Sequence, residues 1–209
     1  MRAARVVRMA WLLRALAAMA MAVTIAGCFL PQEFDAEIVI DRKGAYGVAF
    51  EGELVSLPLQ YAFLQGELND RDERDRRIRD TFSDLENSGL SDIKHLGRAR
   101  YSARYERQGH LGLERTLYFI RRNAKILTIE YNYEVEEITV RGATLRTDQK
   151  KLLAEMGLSM KGQLRVRTDA KVIQQNADRV VQDGLSQTYI WFIENIYGPA
   201  PKLVIKVTR

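Results

Sequence analysis

One cysteine, two histidines and four prolines occur in 209 residues. A single thiol forms no intramolecular disulfide, so packing must stabilise the fold in whatever redox compartment it occupies. His95 and His110 stand in different segments with no ligand-like spacing to acids, which removes the Cys–His and His–His patterns of a structural zinc site. No Gly-x-Ser-x-Gly elbow is present, and Ser83, Ser91 and Ser186 have no evident base nearby in sequence. Gly44-Ala45-Tyr46-Gly47 precedes no helix pattern, so it lacks the backbone N–H groups of a phosphate loop. Glu136 and Glu137 are adjacent at a strand end and point to opposite faces, which spoils them as a carboxylate pair. The expectation is a non-enzymatic protein without cofactor or metal. Past the N-terminus no apolar run reaches the roughly 20 residues of a spanning helix.

What the N-terminus does contain is a leader. Arg2, Arg5, Arg8 and Arg14 give a positive start without acids, and Ala15 to Ala26 form an uncharged apolar core, as in a signal peptide. Ile25-Ala26-Gly27-Cys28 closes it with two small residues before the cysteine. This is the pattern of a lipobox, in which Cys28 is acylated and becomes the mature N-terminus. An ordinary cleaved signal with an incidental cysteine, or an uncleaved anchor, are the two other readings of the same stretch. The domain plan is therefore a lipoprotein signal peptide over 1–27, a lipidated tether over 28–33 and one folded domain over 34–209.

Removing the leader changes the electrostatics. The chain carries 32 basic and 27 acidic residues for a net +5. Four of the bases and none of the acids lie before Cys28, so the mature chain has 28 against 27, a net +1. That balance gives no support to nucleic-acid binding. About 180 residues remain, enough for one domain with a sizeable core.

Along the mature chain, Phe34, Ala36, Ile38 and Ile40 alternate with polar residues. Arg42-Lys43-Gly44 reads as a turn, and Tyr46, Val48, Phe50, Gly52 and Leu54 line a second strand, making a hairpin. Leu57 to Leu68 reads as a short helix. Asn69 to Ser88 reads as a longer one, with Asn69 as N-cap, acid-before-base pairs at i,i+4 and Gly89 at its end. Its charge run is a solvated face or, in a functional reading, a surface for headgroups or a partner. Ala99, Tyr101, Ala103 and Tyr105 share a strand face opposite three arginines. Thr116–Arg122 and Lys125–Glu134 form a further hairpin. Thr147 or Asp148 caps a short helix ended by Gly157. Leu158–Thr168, the doubly apolar Thr188–Ile193 (a central strand, or one with a second layer on its outer side) and Leu203–Val207 complete the pattern. The sum is an α+β fold, a mainly antiparallel, curved sheet of about eight strands with two or three helices packed on it.

The strand aromatics carry the ligand expectation. Tyr101, Tyr105, Tyr189 and Trp191, with Tyr131 and Tyr133 nearby in pattern, combine apolar bodies with hydrogen-bonding tips, which suits a boundary between acyl chain and headgroup. The same residues also suit an ordinary sheet core. The lipobox, the hairpin entered through Phe34–Ile40 and Gly44–Phe50, and a closing pattern together resemble the LppM-like bacterial lipoprotein family. That closing pattern is Gly162-x-Leu164, Thr168-Asp169, Val172, Asn176, then Tyr189-x-Trp191 and a terminal apolar strand. The resemblance implies an envelope domain similar to lipid-binding folds, with affinity for membrane glycolipids or phospholipids. It transfers no binding residue beyond lipidated Cys28. The expected partners are the membrane, through the N-terminal lipid anchor, and a lipid or glycolipid ligand. The alternative is a structural module serving an envelope protein partner. Phe29 follows the cysteine where an aspartate often retains lipoproteins in the inner membrane, which favours the outer membrane in a bacterium with two.

Overall fold

Alternation of apolar and polar residues is the strongest local signal in the chain, and it builds the first hairpin. β1 (Phe29–Ile40) and β2 (Ala45–Ser56) pair antiparallel, with Ile38 opposite Val48 and Ile40 opposite Tyr46. The connecting turn is held by the Asp41 carboxylate, which accepts from the N–H groups of Lys43 at 2.8 Å and Ala45 at 2.9 Å. Gly44 closes it at φ +91°, a conformation that side chains avoid. The structure is a computed structural model and describes residues 29–121 and 124–208. Cys28 and the leader reading lie outside the described residues.

The hairpin starts earlier than the sequence suggests. The segment expected to be a tether is strand from Phe29 onward, and Phe29, Leu30 and Pro31 are buried. An apolar tripeptide gains more from burial than from remaining in water. Pro31 sits where the register shifts before Phe34, at a bulge, one of the few places a sheet tolerates proline.

The chain continues through α1 (Leu57–Leu64), α2 (Arg71–Asn87), β3 (Leu90–Gly97), β4 (Arg100–His110) and α3 (Leu111–Glu114). It then forms β5 (Thr116–Arg121), β6 (Ala124–Asn132), β7 (Glu137–Gly142), α4 (Thr147–Glu155), β8 (Lys161–Thr168), β9 (Lys171–Gln175), β10 (Arg179–Asp183), β11 (Ser186–Ile193) and β12 (Lys202–Lys206). The α+β class holds. The strand count does not, because twelve strands and four helices occur among the described residues, in two sheets rather than one. Sheet A has the order β10-β11-β8-β1-β2-β4-β3, and sheet B the order β5-β6-β7-β12-β9. Pairing is antiparallel except between β1 and β8, which run parallel with Ala36 beside Leu164. On the outer face of that pair, the Arg165 guanidinium donates two bonds to the Asp35 carboxylate, at 2.8 and 2.5 Å.

The inner faces of the two sheets share one core that includes Ile38, Leu54, Tyr101, Leu117, Ile129, Ile138, Val166 and Leu203. α2 closes one flank with Leu85, fully buried, and with Ile78 and Phe82 packed against the core. Its N-cap is Asp70 rather than Asn69, accepting from the Glu73 N–H at 2.9 Å. Glu73 then pairs with both Arg76 and Arg77. α4 begins after Arg146, whose N–H donates to the Gln149 side chain at 2.9 Å, so Thr147 is the first helical residue and not the cap. β11 lies between β10 and β8, one place in from the sheet edge. Its outer-face Phe192 is half exposed with the Arg179 guanidinium over the ring at 5.8 Å, so a cation and not a second layer covers it. No helix among the described residues is long and apolar enough to cross a membrane.

Candidate functional site

Strand register brings one end of each sheet together. β1 and β8 begin there, β2 and β11 end there, and Gly162 pairs with both Phe34 and Ile193. In sheet B, Leu127 lies beside Gly142 and β12 starts across from Arg141. Between these ends the two sheets enclose a cavity of about 600 Å³, inside the range of about 300–1,000 Å³ typical of small-molecule sites. Its walls are mostly apolar. Sheet A contributes Phe34, Ala36, Ile38, Phe50, Leu164 and Trp191, and sheet B contributes Phe119, Ile126 and Leu127. Leu152 and Leu153 of α4, with Met156 and Met160 just past its end, cover it, methionine being the side chain that best adapts to irregular contents.

Small residues and glycines shape the space. A Cβ at Gly162 would stand 2.5 Å from Phe34 Cδ1, so the Phe34 ring takes the room that a side chain there would occupy. At Gly142 a Cβ would meet Pro201 Cδ at 2.8 Å, and the Gly142 N–H donates to the Pro201 carbonyl at 2.9 Å. This draws the segment Gly198-Pro199-Ala200-Pro201 against the end of β7. Phe34, Phe50 and Phe119 form a continuous aromatic surface, with centroids 6.0 and 4.8 Å apart.

Polar groups gather where the walls end. Asn176 accepts from Trp191 Nε1 at 2.9 Å and from the Lys202 N–H at 2.7 Å, and its own amide donates to the Ala200 carbonyl at 2.9 Å. One side chain, just past the end of β9, thus fixes the indole and ties that turn to the start of β12. Asp178 accepts from the Phe192 N–H at 2.7 Å. Lys125, Lys150 and Glu194 also line the cavity, the Lys150 ammonium reaching the Tyr197 carbonyl at 3.3 Å. The arrangement can hold an apolar chain and meet a polar head at its rim. Nothing in it sets up a nucleophile beside a base.

The four aromatics expected to line a site do not converge. Trp191 lines the cavity. Tyr105 stands one layer behind it, with its ring 4.9 Å from that of Phe119. Tyr101 is fully buried under α2, its hydroxyl donating to the Ile78 carbonyl at 3.2 Å, and burial pushes its pKa up to about 12. Tyr189 donates to the Gln187 side chain and borders a separate shallow groove with Thr168 and Gln175; burial raises its pKa as well. β4 and β11 stand on opposite flanks of sheet A, with β8, β1 and β2 between them. The Tyr131 and Tyr133 rings meet at a tilt with centroids 4.2 Å apart, and the Tyr133 hydroxyl donates to the Gly112 carbonyl at 2.9 Å, fastening α3. A second fastening of α3 is the Tyr46 hydroxyl, which donates to Glu114 at 2.9 Å. Burial and that bond push the Tyr46 pKa up to about 12. Three arginines were expected opposite Ala99–Tyr105. Of these, Arg100 pairs with Glu53 across the strands and Arg104 with Glu51 and Asp92, a structural role.

The cavity residues that sequence reasoning passed over are Met156, Met160, Asn176 and the phenylalanine surface. Two segments rich in small residues, Gly142-Ala143-Thr144 and Gly198-Pro199-Ala200-Pro201, were the available signal. Among the described residues no group of three or more His, Cys, Asp and Glu is placed to hold a metal ion.

Comparison with known proteins finds likeness in structure alone. No family model and no curated protein matches the chain. The folded domain of LppM from Mycobacterium tuberculosis is a structural neighbour at low sequence identity, with a TM-score of 0.46 at 9% identity over 87% of this chain and 93% of that one. An M1 zinc metallopeptidase from Deinococcus radiodurans is similar at a TM-score of 0.33 and 9% identity, over 86% of this chain and 42% of the enzyme. Likeness at this level says nothing about activity.

Proposed function

We propose that this chain is a membrane-anchored lipoprotein of a bacterial envelope and that its domain binds a lipid or another amphipathic ligand between its two sheets. The observation that carries the reading is the apolar cavity of about 600 Å³ with Lys125, Lys150, Asp178 and Glu194 where its walls end. Each methylene moved from water into such a space contributes roughly 0.8 kcal/mol, while the charged rim keeps a headgroup hydrated and paired. The leader ending at Cys28 supports the anchor. The test is to purify the mature chain from its native membrane, extract it and weigh the extract by mass spectrometry. The mature chain has to include Phe29, Leu30 and Pro31, because they line the cavity. A co-purifying lipid that exchanges with an added fluorescent fatty acid is the expected result. Neither co-purifying nor exchangeable lipid sinks the reading.

A second reading, an interaction module of an envelope complex, is favoured by one feature. β10 is an edge strand with Val180 and Val181 half exposed, and the turn after it presents Leu185 at 90% exposure. Unpaired edges invite strand addition. Crosslinking in the native membrane should then capture one defined partner, lost in Leu185→Asp; a protein that stays solitary eliminates this version.

A further inference from the structure

The first residues of β1 line the cavity. Phe29, Leu30 and Pro31, the first three described residues, are all buried and all line it. Phe29 pairs with Ser56, and the Gln32 side chain donates to the Ser159 carbonyl, just ahead of β8. The start of β1 therefore lies at the cavity, and Cys28 is the residue before Phe29 in sequence. Consecutive Cα atoms are about 3.8 Å apart, so whatever Cys28 carries is attached within one residue of Phe29. On this basis we infer that an acyl chain carried by Cys28 occupies the intersheet cavity of its own domain, a proposal that rests on the lipoprotein reading above.

The energetics favour this occupant over a free lipid. An acyl chain loses the same contact with water in a dry apolar cavity as in a bilayer, so the transfer between them costs little hydrophobic free energy. A tethered chain also binds intramolecularly, at an effective concentration on the order of millimolar. A free lipid displaces it only by binding more tightly than that concentration or by meeting the charged rim. Anchoring survives the loss of one chain from the membrane when two others stay, since two acyl chains suffice for stable attachment. The domain would then exist in two forms, closed by its own lipid or opened to another, with the exchange setting how much of the anchor lies in the bilayer.

The direct test uses the full chain in cells fed a diazirine-bearing palmitate, followed by irradiation of the membranes and peptide mapping. The expected adduct joins the Cys28 peptide to a cavity peptide of the same chain, at Phe34, Met156 or Trp191. It should fall at least tenfold in Ala36→Trp, which fills the cavity while leaving the leader intact. Cavity peptides that carry only the mass of a free phospholipid overturn self-occupancy and leave the ligand reading standing. A labelled Cys28 peptide that crosslinks only to bilayer lipids also overturns it. Absence of any label on the Cys28 peptide overturns the lipoprotein reading, and this proposal with it.

Discussion

Tyr101 and Trp191 face the same interior from opposite flanks of sheet A, and their surroundings differ. Around Tyr101 the small–aromatic alternation of β4 is sealed by α2, with Leu85 fully buried and the tyrosine hydroxyl tied to the helix backbone. Around Trp191 an equivalent strand face meets a cover made from a two-turn helix and from segments of glycine, proline and alanine. Both strands present buried aromatic residues on their inner face. Whether such a face becomes packed core or cavity wall depends on how completely it is covered: the 17-residue α2 seals one flank, while the 9-residue α4 and the small-residue segments leave space over the other.

The comparison can be broken most forcefully by truncation. Leu85→Ala should cost about 3–5 kcal/mol, the upper part of the range for buried leucines, because α2 cannot collapse into the gap. Leu164→Ala, at the wall of the existing cavity, should cost nearer 2 kcal/mol. Urea denaturation of both variants decides it, and equal costs would mean that the two flanks are packed alike. Asn176→Ala comes next. It leaves the Trp191 indole N–H and the Lys202 N–H without their acceptor, a loss of about 1–3 kcal/mol, together with a shifted tryptophan emission. Asn176→Asp keeps an acceptor and should retain more of the stability.

A smaller effect concerns pH. Tyr46 and Tyr101 have pKa values of about 12 when folded, against an ordinary value near 10. The unfolded chain therefore releases these protons first as pH rises, and stability should be level below pH 10 and fall between about 10 and 12. Replacing both with phenylalanine should flatten that fall in thermal melts. Smallest of all, Glu73→Gln removes the paired carboxylate on the exposed face of α2 and should leave stability within error. A measurable loss there would give the charge run more weight than a solvated face deserves.

How much was legible follows from the same contrast. Strands with one buried face stood out: β1, β2, β4, β6, β8 and β12 each alternate or run apolar, and the α2 helix announced itself by its ion pairs and Gly89. β3, β9 and β10 were missed, and all three lie at sheet edges with few or no buried residues. Period-two patterning exists only where a face must avoid water, so an edge strand solvated on both sides leaves no trace of it. β7 is different. It alternates Ile138 and Val140 with polar residues, and its six residues were overlooked between a charged turn and a polar loop. The second sheet went unseen because sheet membership is a matter of pairing partners, and Leu203–Ile205 looks the same whichever sheet it joins. The candidate site was legible at Trp191 alone among the four aromatics named for it. Convergence across a cavity depends on which strands are neighbours, and β4 and β11 are not.

The parallel pair of β1 and β8 sets a clock. Asp35 and Arg165 lie 130 residues apart in sequence, and the ladder between their strands is the parallel one of sheet A and joins strands far apart in the chain. Chains grow from the N-terminus at about 5–20 residues per second, so β1 waits roughly 6 to 26 seconds for its second neighbour. During that interval the hairpin of β1 and β2 carries an open edge and an uncovered apolar face, the features from which aggregation starts. Folding of this domain is thus paced by its most distant pairing. A holdase that shields one strand edge until Thr168 has emerged would protect the step at which the chain is most exposed.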